Sequence, residues 1–270
     1  MYFRRITSCF ALAILLITVD PKHCLSDIFN GLEINYQTQW GNAQIGNFKI
    51  KTEKNNNKIK FQIESRSEGA ISIFYDYKSN VVGTSVKHNQ NWHSNSYTVN
   101  SIYNNKRYYS SIRWDQNKRK FFKKIEPPID LKKVYDIPPS TLENAIDPIT
   151  GFMRVLDKVN HYQSCNIILN IFDGRRRYNL ETKSLGNEFL VNDRPNSFTG
   201  QTLLCGVKIT PIGGHRLESK WKPETDKFSD IKIFFGVING STYLPVRMVL
   251  ERWFGTIIVR MLKSEIKING

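Results

Sequence analysis

Three consecutive arginines, Arg175, Arg176 and Arg177, are the residues of this chain best suited to bind an anion. They follow Asp173-Gly174, a dipeptide typical of a tight β-hairpin turn. Successive residues of a strand point to opposite faces, so we expect Arg175 and Arg177 to share one face. Two guanidiniums there could hold a phosphate or a carboxylate through paired hydrogen bonds. The alternative is a solvated strand edge, charged against aggregation, with Asp173 as an ion-pair partner.

A second basic group surrounds Phe121-Phe122. Cations interleaved with aromatic side chains can bind a membrane surface or a nucleic acid. The N-terminal segment reads as a secretory signal, and an exported protein is not expected to meet nucleic acid. We therefore take Lys123 and Lys124, with the two arginines, as candidate anion-binding residues. The alternative is a charged strand rim with a phenylalanine buried inward. The basic residues of this group are Lys118, Arg119, Lys120, Lys123 and Lys124.

No motif in the sequence identifies an enzyme or a metal centre. A nucleophile elbow, a HExxH motif, a phosphate-binding loop and a dinucleotide fingerprint are all absent. His88 and His93 flank Trp92 but lack a third ligand at metal-binding spacing. Two distant acids could still form a glycosidase site, so an uncharacterised hydrolase stays an alternative. We expect a non-catalytic protein without a cofactor or a metal.

Most of the chain alternates apolar and polar residues with period two, which predicts β-strands. A slip in the alternation near Gly46 indicates a β-bulge. Turn dipeptides separate the strands, so the pattern is a meander of hairpins. Ile71, Ile73, Tyr75 and Tyr77 are expected to continue the alternation. Predicted turns include Asn104-Asn105, Asn239-Gly240 and Asp173-Gly174, of which Asp173-Gly174 is a strong signal for a tight hairpin.

One helix interrupts the strands. Asp147 is a good N-cap and Pro148 suits the first helical position. The apolar residues that follow recur at helical spacing and form one stripe. This stripe either packs on the sheet as ordinary core or lines an apolar pocket for an acyl chain. The candidate pocket residues are Ile149, Phe152, Met153, Leu156 and Val159.

The first 26 residues read as a secretory signal peptide. Arg4 and Arg5 precede the apolar run 10–19, which is too short to span a bilayer. An uncleaved N-terminal anchor, or a lipid anchor on Cys24, is the alternative. Residues 27–270 are expected to form a single β-rich domain, located in the periplasm.

Charge and cysteine content agree with an envelope protein. The formal net charge is +15, which attracts anionic lipids or acidic polymers, although abundant Lys, Asn and Ile could also reflect AT-rich codons. Cys9 and Cys24 lie in the signal segment. That leaves Cys165 and Cys205, an even pair for which one disulfide is the economical interpretation. Closing a loop of about 40 residues is worth ~4 kcal/mol in the chain-entropy model.

Several of these features occur in one order: Ile146-Asp147-Pro148-Ile149, Cys165, the run 172–178 (FDGRRRY), Cys205-Gly206, the run 244–247 (LPVR) and Gly255. This order resembles the bacterial envelope family called domain of unknown function 3108, over about residues 30–262. The family carries no established activity. The resemblance implies an open half-barrel similar to lipoprotein-localisation-factor folds, in which a helix plugs an apolar hollow.

These observations lead to one expected function and two alternatives. The fold class is mainly β, a curved antiparallel sheet or open half-barrel with one packed central helix. The expected function is an exported, non-catalytic lipid- or lipoprotein-binding or scaffold protein. It would hold an acyl chain against the 149–159 helix, with basic residues near an anionic head group and peripheral contact with a membrane. The alternatives are an interaction module that docks an envelope protein through a sheet edge, and the hydrolase.

Overall fold

The computed structural model describes residues 29–115, 120–218, 227–263 and 266–268. The predicted signal peptide, Cys9, Cys24, Lys118 and Arg119 lie outside the described residues. The elements are β1 (Leu32–Trp40), β2 (Ala43–Asn55), β3 (Lys58–Ser67), β4 (Tyr77–His88), β5 (Asn91–Tyr103), β6 (Lys106–Asp115), β7 (Lys120–Glu126), α1 (Pro148–Tyr162), β8 (Ile167–Phe172), β9 (Arg177–Leu190), β10 (Gly200–Gly213), β11 (Ile231–Ile238), β12 (Thr242–Arg252), β13 (Gly255–Met261) and β14 (Lys267–Ile268).

The strands form one large antiparallel sheet. Its order is β7-β6-β5-β4-β3-β2-β1-β13-β12-β11-β10-β9-β8, and β14 pairs with the start of β1. The register places Tyr36 opposite Met261, so β1 and β13 join the N-terminal and C-terminal halves. The two edge strands, β7 and β8, do not pair with each other, and the sheet stays open. The predicted fold class, an open antiparallel sheet with one helix, is confirmed.

The sheet is curved enough to bring its two edges into contact. The hydroxyl of Ser110 on β6 donates to the carbonyl of Asp173 beyond β8 at 3.3 Å. The rings of Phe121 on β7 and Phe172 on β8 lie 5.3 Å apart. The free side of β8 is bonded by Ile146, whose amide donates to Asn170 at 2.8 Å. Both halves of the sheet therefore face one interior.

The helix α1 begins where the sequence predicts. The Asp147 carboxylate accepts from the amide of Thr150 at 2.9 Å, which is the N-cap bond. The amide of Asp147 itself donates to the hydroxyl of Ser94 on β5 at 2.8 Å. Burial raises the pKa of the Asp147 carboxyl, and its hydrogen bonds oppose that shift. The cap therefore ties the start of α1 to β5.

The apolar stripe of α1 packs directly on the sheet. Met153, Leu156 and Val159 have no exposed surface, and burying a large apolar side chain is worth about 1.5–3 kcal/mol. Gly83 on β4 permits the close approach, because a Cβ there would lie 2.6 Å from Cγ1 of Ile149. The helix is therefore part of the central core.

The connection between β3 and β4 differs from the prediction. Residues 71–75 do not continue the strand alternation; Gly69–Ile73 form a 3₁₀ helix, and β4 begins at Tyr77. The cause is Gly69, whose φ is +67° and whose Cβ position lies 2.6 Å from the carbonyl oxygen of Gln44. The chain must turn there, and Ile73 is left 80% exposed.

The predicted disulfide joins Cys165 and Cys205, which is confirmed. Their Cα atoms lie 6.3 Å apart, within the usual range, and both residues are fully buried. The bridge links the segment after α1 to β10. Among the described residues, no helix combines the length and the apolar character needed to cross a bilayer.

Candidate functional site

A cavity of about 670 Å³ lies between β5–β7 and the segment that leads into α1. We call it the pre-helix cavity. Its volume falls within the range of small-molecule sites. Its apolar lining is Trp114, Phe121, Leu142, Ala145 and Ile146. The other lining residues are His93, Ser94, Asp115, Lys120, Pro139, Glu143, Asn144 and Arg154.

Local sequence patterns build two walls of this cavity. Trp114 and Phe121 are opposite each other in the β6–β7 register, so both side chains point to the same face. Their ring centroids are 6.3 Å apart. The opposite wall is a short 3₁₀ helix, Pro139–Leu142, followed by Ile146, which is bonded to the edge of β8. The apolar floor is therefore held by secondary structure on both sides.

Arg154 supplies a half-buried cation to the pre-helix cavity, which the exposed Lys120 also lines. Arg154 lies on α1, and its Nε donates to the backbone carbonyl of Trp92 at 2.8 Å. Burial lowers the pKa of the guanidinium from its usual value, but an arginine stays charged at neutral pH. No acid in the described part of the chain forms an ion pair with Arg154. Its two Nη groups are therefore available to a carboxylate or a phosphate.

The cavity is also lined by other ionisable residues, of which Lys120 and Glu143 are exposed and His93 and Asp115 are half-buried. Burial lowers the pKa of His93, and the positive charge of Arg154 and then that of His88 lower it further. The imidazole is accordingly neutral at pH ~7. Asp115 faces Lys120 in register across β6 and β7. No group of three metal-ligating side chains occurs among the residues that the structure describes.

The predicted helix stripe lies beside this cavity, not along it. Ile149, Met153, Leu156 and Val159 are buried in the central core. Phe152 is half-buried, with its ring centroid 6.3 Å from that of Phe61. The residues of the helix region that line the cavity are Ala145, Ile146 and Arg154. An acyl pocket on the stripe stays a prediction.

The arginine run adopts a different geometry from the one predicted. Arg175 lies in the β8–β9 turn and not on a strand, because β9 begins at Arg177. The carboxylate of Asp173 explains this, since it accepts from the amides of Arg175 at 2.9 Å and Arg176 at 2.7 Å. Such an Asx turn lengthens the loop beyond two residues. Asp173 also pairs with the guanidinium of Arg176 at 2.8 Å.

The guanidiniums of Arg175 and Arg177 reach different parts of the protein. Arg177 is buried and donates to the carbonyl of Thr141 and the side chain of Asn179, both at 2.8 Å. Arg175 donates toward the β7 edge, at Glu126. Both arginines have carbonyl partners within the chain, and an anion site formed by the two together stays a prediction.

The lysines of β7 point in opposite directions. Lys123 is exposed but lies on the same strand face as Phe121, with Nζ 5.9 Å from the ring centroid of Phe172. Lys124 is exposed and pairs with Glu126 at 2.8 Å, and the hydrogen bond from Glu126 raises its pKa. Phe121 packs inward, whereas Phe122 is 60% exposed. This agrees with the alternative of a charged strand rim over one buried phenylalanine.

Sequence reasoning missed Arg154. The residue falls within the correctly predicted helix, but outside its apolar stripe, where an arginine is usually solvated. Its anchor is a backbone carbonyl of β5, and backbone contacts between distant segments leave no pattern in the sequence. The only signal nearby was Trp92-His93, which we considered as part of a metal site and set aside because a third ligand is missing.

Comparison with known proteins gives one match. The family model described as "Protein of unknown function (DUF3108)" matches residues 35–263. No curated protein and no solved structure matches the chain, and the likeness to lipoprotein-localisation-factor folds is not confirmed. Since the family model spans most of the sequence, the chain belongs to the DUF3108 family.

Proposed function

We propose that this protein is a non-catalytic binding protein of the cell envelope, and that it takes a lipid-like ligand with one anionic head group. The observation that carries the proposal is the guanidinium of Arg154, which has no acidic partner among the described residues and lines a cavity with an apolar floor. An unpaired cation beside aromatic side chains matches a ligand that is anionic at one end and apolar at the other.

Binding would combine two effects. The apolar tail would lie against Trp114, Phe121 and Leu142, and each buried methylene would contribute about 0.8 kcal/mol. The head group would accept hydrogen bonds from the Nη groups of Arg154, whose Nε is already fixed on Trp92. Because the guanidinium is already held in place before the ligand binds, it loses little side-chain entropy on binding, which favours affinity.

The envelope location is part of the proposal. The buried disulfide between Cys165 and Cys205 supports it weakly, because such bonds persist in oxidising compartments. The basic start and the apolar run of residues 1–26 support it from the sequence. Fractionation of a bacterium that expresses the full chain would test it, and recovery of the protein in the cytosol would contradict it.

The ligand test compares two arginine variants. Solvent extraction of the purified mature protein, followed by lipid mass spectrometry, should recover an anionic lipid. Titration of delipidated protein with hexadecanoate should show that R154Q binds about tenfold or more weakly, since a charged hydrogen bond is worth about 1.5–3 kcal/mol. The matched control is R113Q, which removes an exposed arginine of β6 and should leave the affinity unchanged.

Two results would contradict the proposal that this protein binds a lipid-like ligand. One is an empty extract combined with no hexadecanoate binding by the wild-type chain. The other is equal binding by R154Q and wild type, which would show that the Arg154 guanidinium does not contact the ligand.

A second candidate function rests on the edge of the sheet. Among the described strands, β7 pairs only with β6, so its outer edge offers backbone groups that an added strand could bond. Such an interaction module would co-purify with a protein and without lipid. Replacing Lys124 with proline would remove one backbone donor from β7 and should release that partner, while R154Q should not.

A further inference from the structure

Large apolar side chains are exposed at one end of the strands. Because neighbouring strands are antiparallel, the connections β1–β2, β3–β4, β5–β6 and β12–β13 all leave the sheet at the same end. Most of their apolar residues are accessible to solvent. We call this set the aromatic rim: Trp40 (42% exposed), Ile73 (80%), Phe74 (72%), Tyr75 (53%), Tyr103 (38%) and Trp253 (93%).

The first half of the aromatic rim joins two hairpin tips. The indole Nε1 of Trp40 donates to the backbone carbonyl of Phe254 at 3.1 Å. The ring centroids of Trp40 and Phe254 are 5.7 Å apart, and those of Phe254 and Trp253 are 5.4 Å apart. These contacts position the tip of the β12–β13 hairpin, although the Trp253 indole itself remains open to solvent.

The second half is the 3₁₀ connection between β3 and β4. Tyr75 stacks on Tyr103, with ring centroids 6.2 Å apart. Asn104 holds the connection from the β5–β6 turn, accepting from the amide of Asp76 at 3.0 Å and donating to the carbonyl of Phe74 at 3.3 Å. The exposed Phe74 side chain is therefore carried by a hydrogen-bonded segment.

The two halves adjoin across the start of β2. The amide of Glu68, just before the 3₁₀ helix, donates to the carbonyl of Ile45 at 3.0 Å. Ile45 lies a few residues after Trp40 in the β1–β2 hairpin. The two halves of the aromatic rim are thus carried by neighbouring strands of the sheet, and exposed apolar side chains grouped in this way usually mark an interaction site.

The charges around the aromatic rim favour an anionic partner. Lys106 and Arg107 form the tip of β6, and neither has an ion-pair partner within the described ranges. Two acids of the same connections pair with cations, Glu68 with Arg66 at 2.9 Å and Asp76 with Lys78 at 3.8 Å. Glu251 accepts from the neutral hydroxyl of Thr256 at 2.7 Å, which does not balance its charge. Two cations without an acidic partner against this one carboxylate leave the balance at these connections positive.

We propose that the aromatic rim docks this protein on the surface of an anionic lipid bilayer. Tryptophan and tyrosine, which have an apolar body and a polar tip, favour the membrane–water interface. Trp253 and Phe74 enter the head-group region, and Lys106 and Arg107 contact the lipid phosphates. The surface is separate from the pre-helix cavity, so the inference stands without the proposed ligand.

Vesicle flotation tests the inference. The full mature chain is mixed with vesicles of phosphatidylglycerol and phosphatidylethanolamine, or of phosphatidylcholine alone. It should float with the anionic vesicles and much less with the neutral ones, and salt should weaken the binding by screening. The double variant F74S/W253S should partition about tenfold or more weakly, because two large apolar side chains no longer enter the interface.

The matched control removes exposed aromatics from elsewhere on the surface. F189S/Y162S changes Phe189, 56% exposed on β9, and Tyr162, 71% exposed at the end of α1. It should bind vesicles as the wild type does. Spin-labelled lipids should quench part of the tryptophan fluorescence of the wild type. That quenched part should be missing in W253S, because it comes from Trp253.

Several outcomes would overturn the inference. They are no flotation of the wild type, equal flotation with neutral vesicles, or equal loss in the rim and control variants. A wild-type dimer in sedimentation that F74S/W253S disperses, with no vesicle binding, would instead assign the aromatic rim to contacts between copies of this chain.

Discussion

The guanidinium of Arg175 donates to the backbone carbonyl of Glu126 at 2.9 Å, and this bond joins the two edges of an open sheet. The same Nη2 atom lies 3.2 Å from the carbonyl oxygen of Pro127 and 3.3 Å from that of Tyr109. Since β7 and β8 form no ladder, one side chain supplies polar contacts that strand pairing would otherwise provide.

Replacing Arg175 with alanine should loosen this contact between the edges. The variant leaves three carbonyls of the β6–β7 side without their charged donor, and we expect a loss of about 1–3 kcal/mol in the free energy of unfolding. Hydrogen exchange should accelerate in peptides that cover residues 120–126, and urea unfolding should give the free energy. The exposed Arg113→Ala is the control, and unchanged exchange in β7 would contradict the prediction.

Removing the disulfide should cost stability without changing the fold. Cys165→Ser combined with Cys205→Ser should lower the free energy of unfolding by about 2–4 kcal/mol, since the unfolded chain regains loop entropy. Urea titrations of the variant and of the oxidised wild type give this difference. Thiol labelling of the denatured, non-reduced chain 27–270 should find no free cysteine. Two reactive thiols would refute the bond.

Asp193 should contribute stability in a pH-dependent way. Its carboxylate pairs with Arg260 at 2.6 Å and with Arg247 at 2.7 Å. Burial alone would raise the pKa of Asp193, but the hydrogen bonds and positive charges of the two arginines outweigh it, and the pKa lies below its usual value of 3.8. The contribution is therefore present above pH 3.8 and lost as the pH falls through the lower, folded pKa.

Asp193→Asn tests this sign. Near neutral pH it should lower the free energy of unfolding by about 1–2 kcal/mol, a value reduced by the partial exposure of the carboxylate. The difference from wild type should shrink in acid below the folded pKa. Asp76→Asn, beside the exposed Lys78, should change the stability by less than about 0.5 kcal/mol. A constant difference at every pH would show that the arginines do not stabilise the charged carboxylate.

The substitution Gly83→Ala tests whether the space between β4 and α1 is already filled by side chains. A Cβ at this position would lie 2.6 Å from Cγ1 and 2.8 Å from Cβ of Ile149, so Gly83→Ala should cost about 1–3 kcal/mol through overpacking. The cost should be smaller in an Ile149→Ala background, where the methyl group finds room, and a double-mutant cycle by urea unfolding measures that coupling. A neutral Gly83→Ala would instead indicate the loose interior that an acyl pocket on the stripe requires.

Local patterns were sufficient to predict the fold class and the start of the helix. Period two in the strands reflects one buried face, and the Asp147-Pro148 cap needs only residues that are adjacent in sequence. The strand prediction for the β3–β4 connection was wrong because Ile71 and Ile73 are spaced like the apolar residues of a strand. The deciding contact, between Gly69 and the carbonyl of Gln44, is made with a different strand.

The candidate site was predictable only in part. An even cysteine count identifies the Cys165–Cys205 pair without any geometry, because no other pairing remains in residues 27–270. Arg154 and the aromatic rim depend on which backbone groups and turns meet in space. The anion-binding prediction for Arg175 assumed a two-residue turn, which the Asp173 carboxylate replaces with a longer one.

The pairing of β1 with β13 has a consequence for how the chain is made. Every other neighbour along the main path of the sheet is close in sequence, whereas this junction joins residues such as Gln39 and Arg260, 221 positions apart. A partly synthesised chain can form its hairpins early, but it cannot join the two halves until the last strands emerge from the ribosome. Until then the edge of β1 that β13 will cover has unpaired backbone groups, which is where the incomplete chain is most open to pairing with other chains.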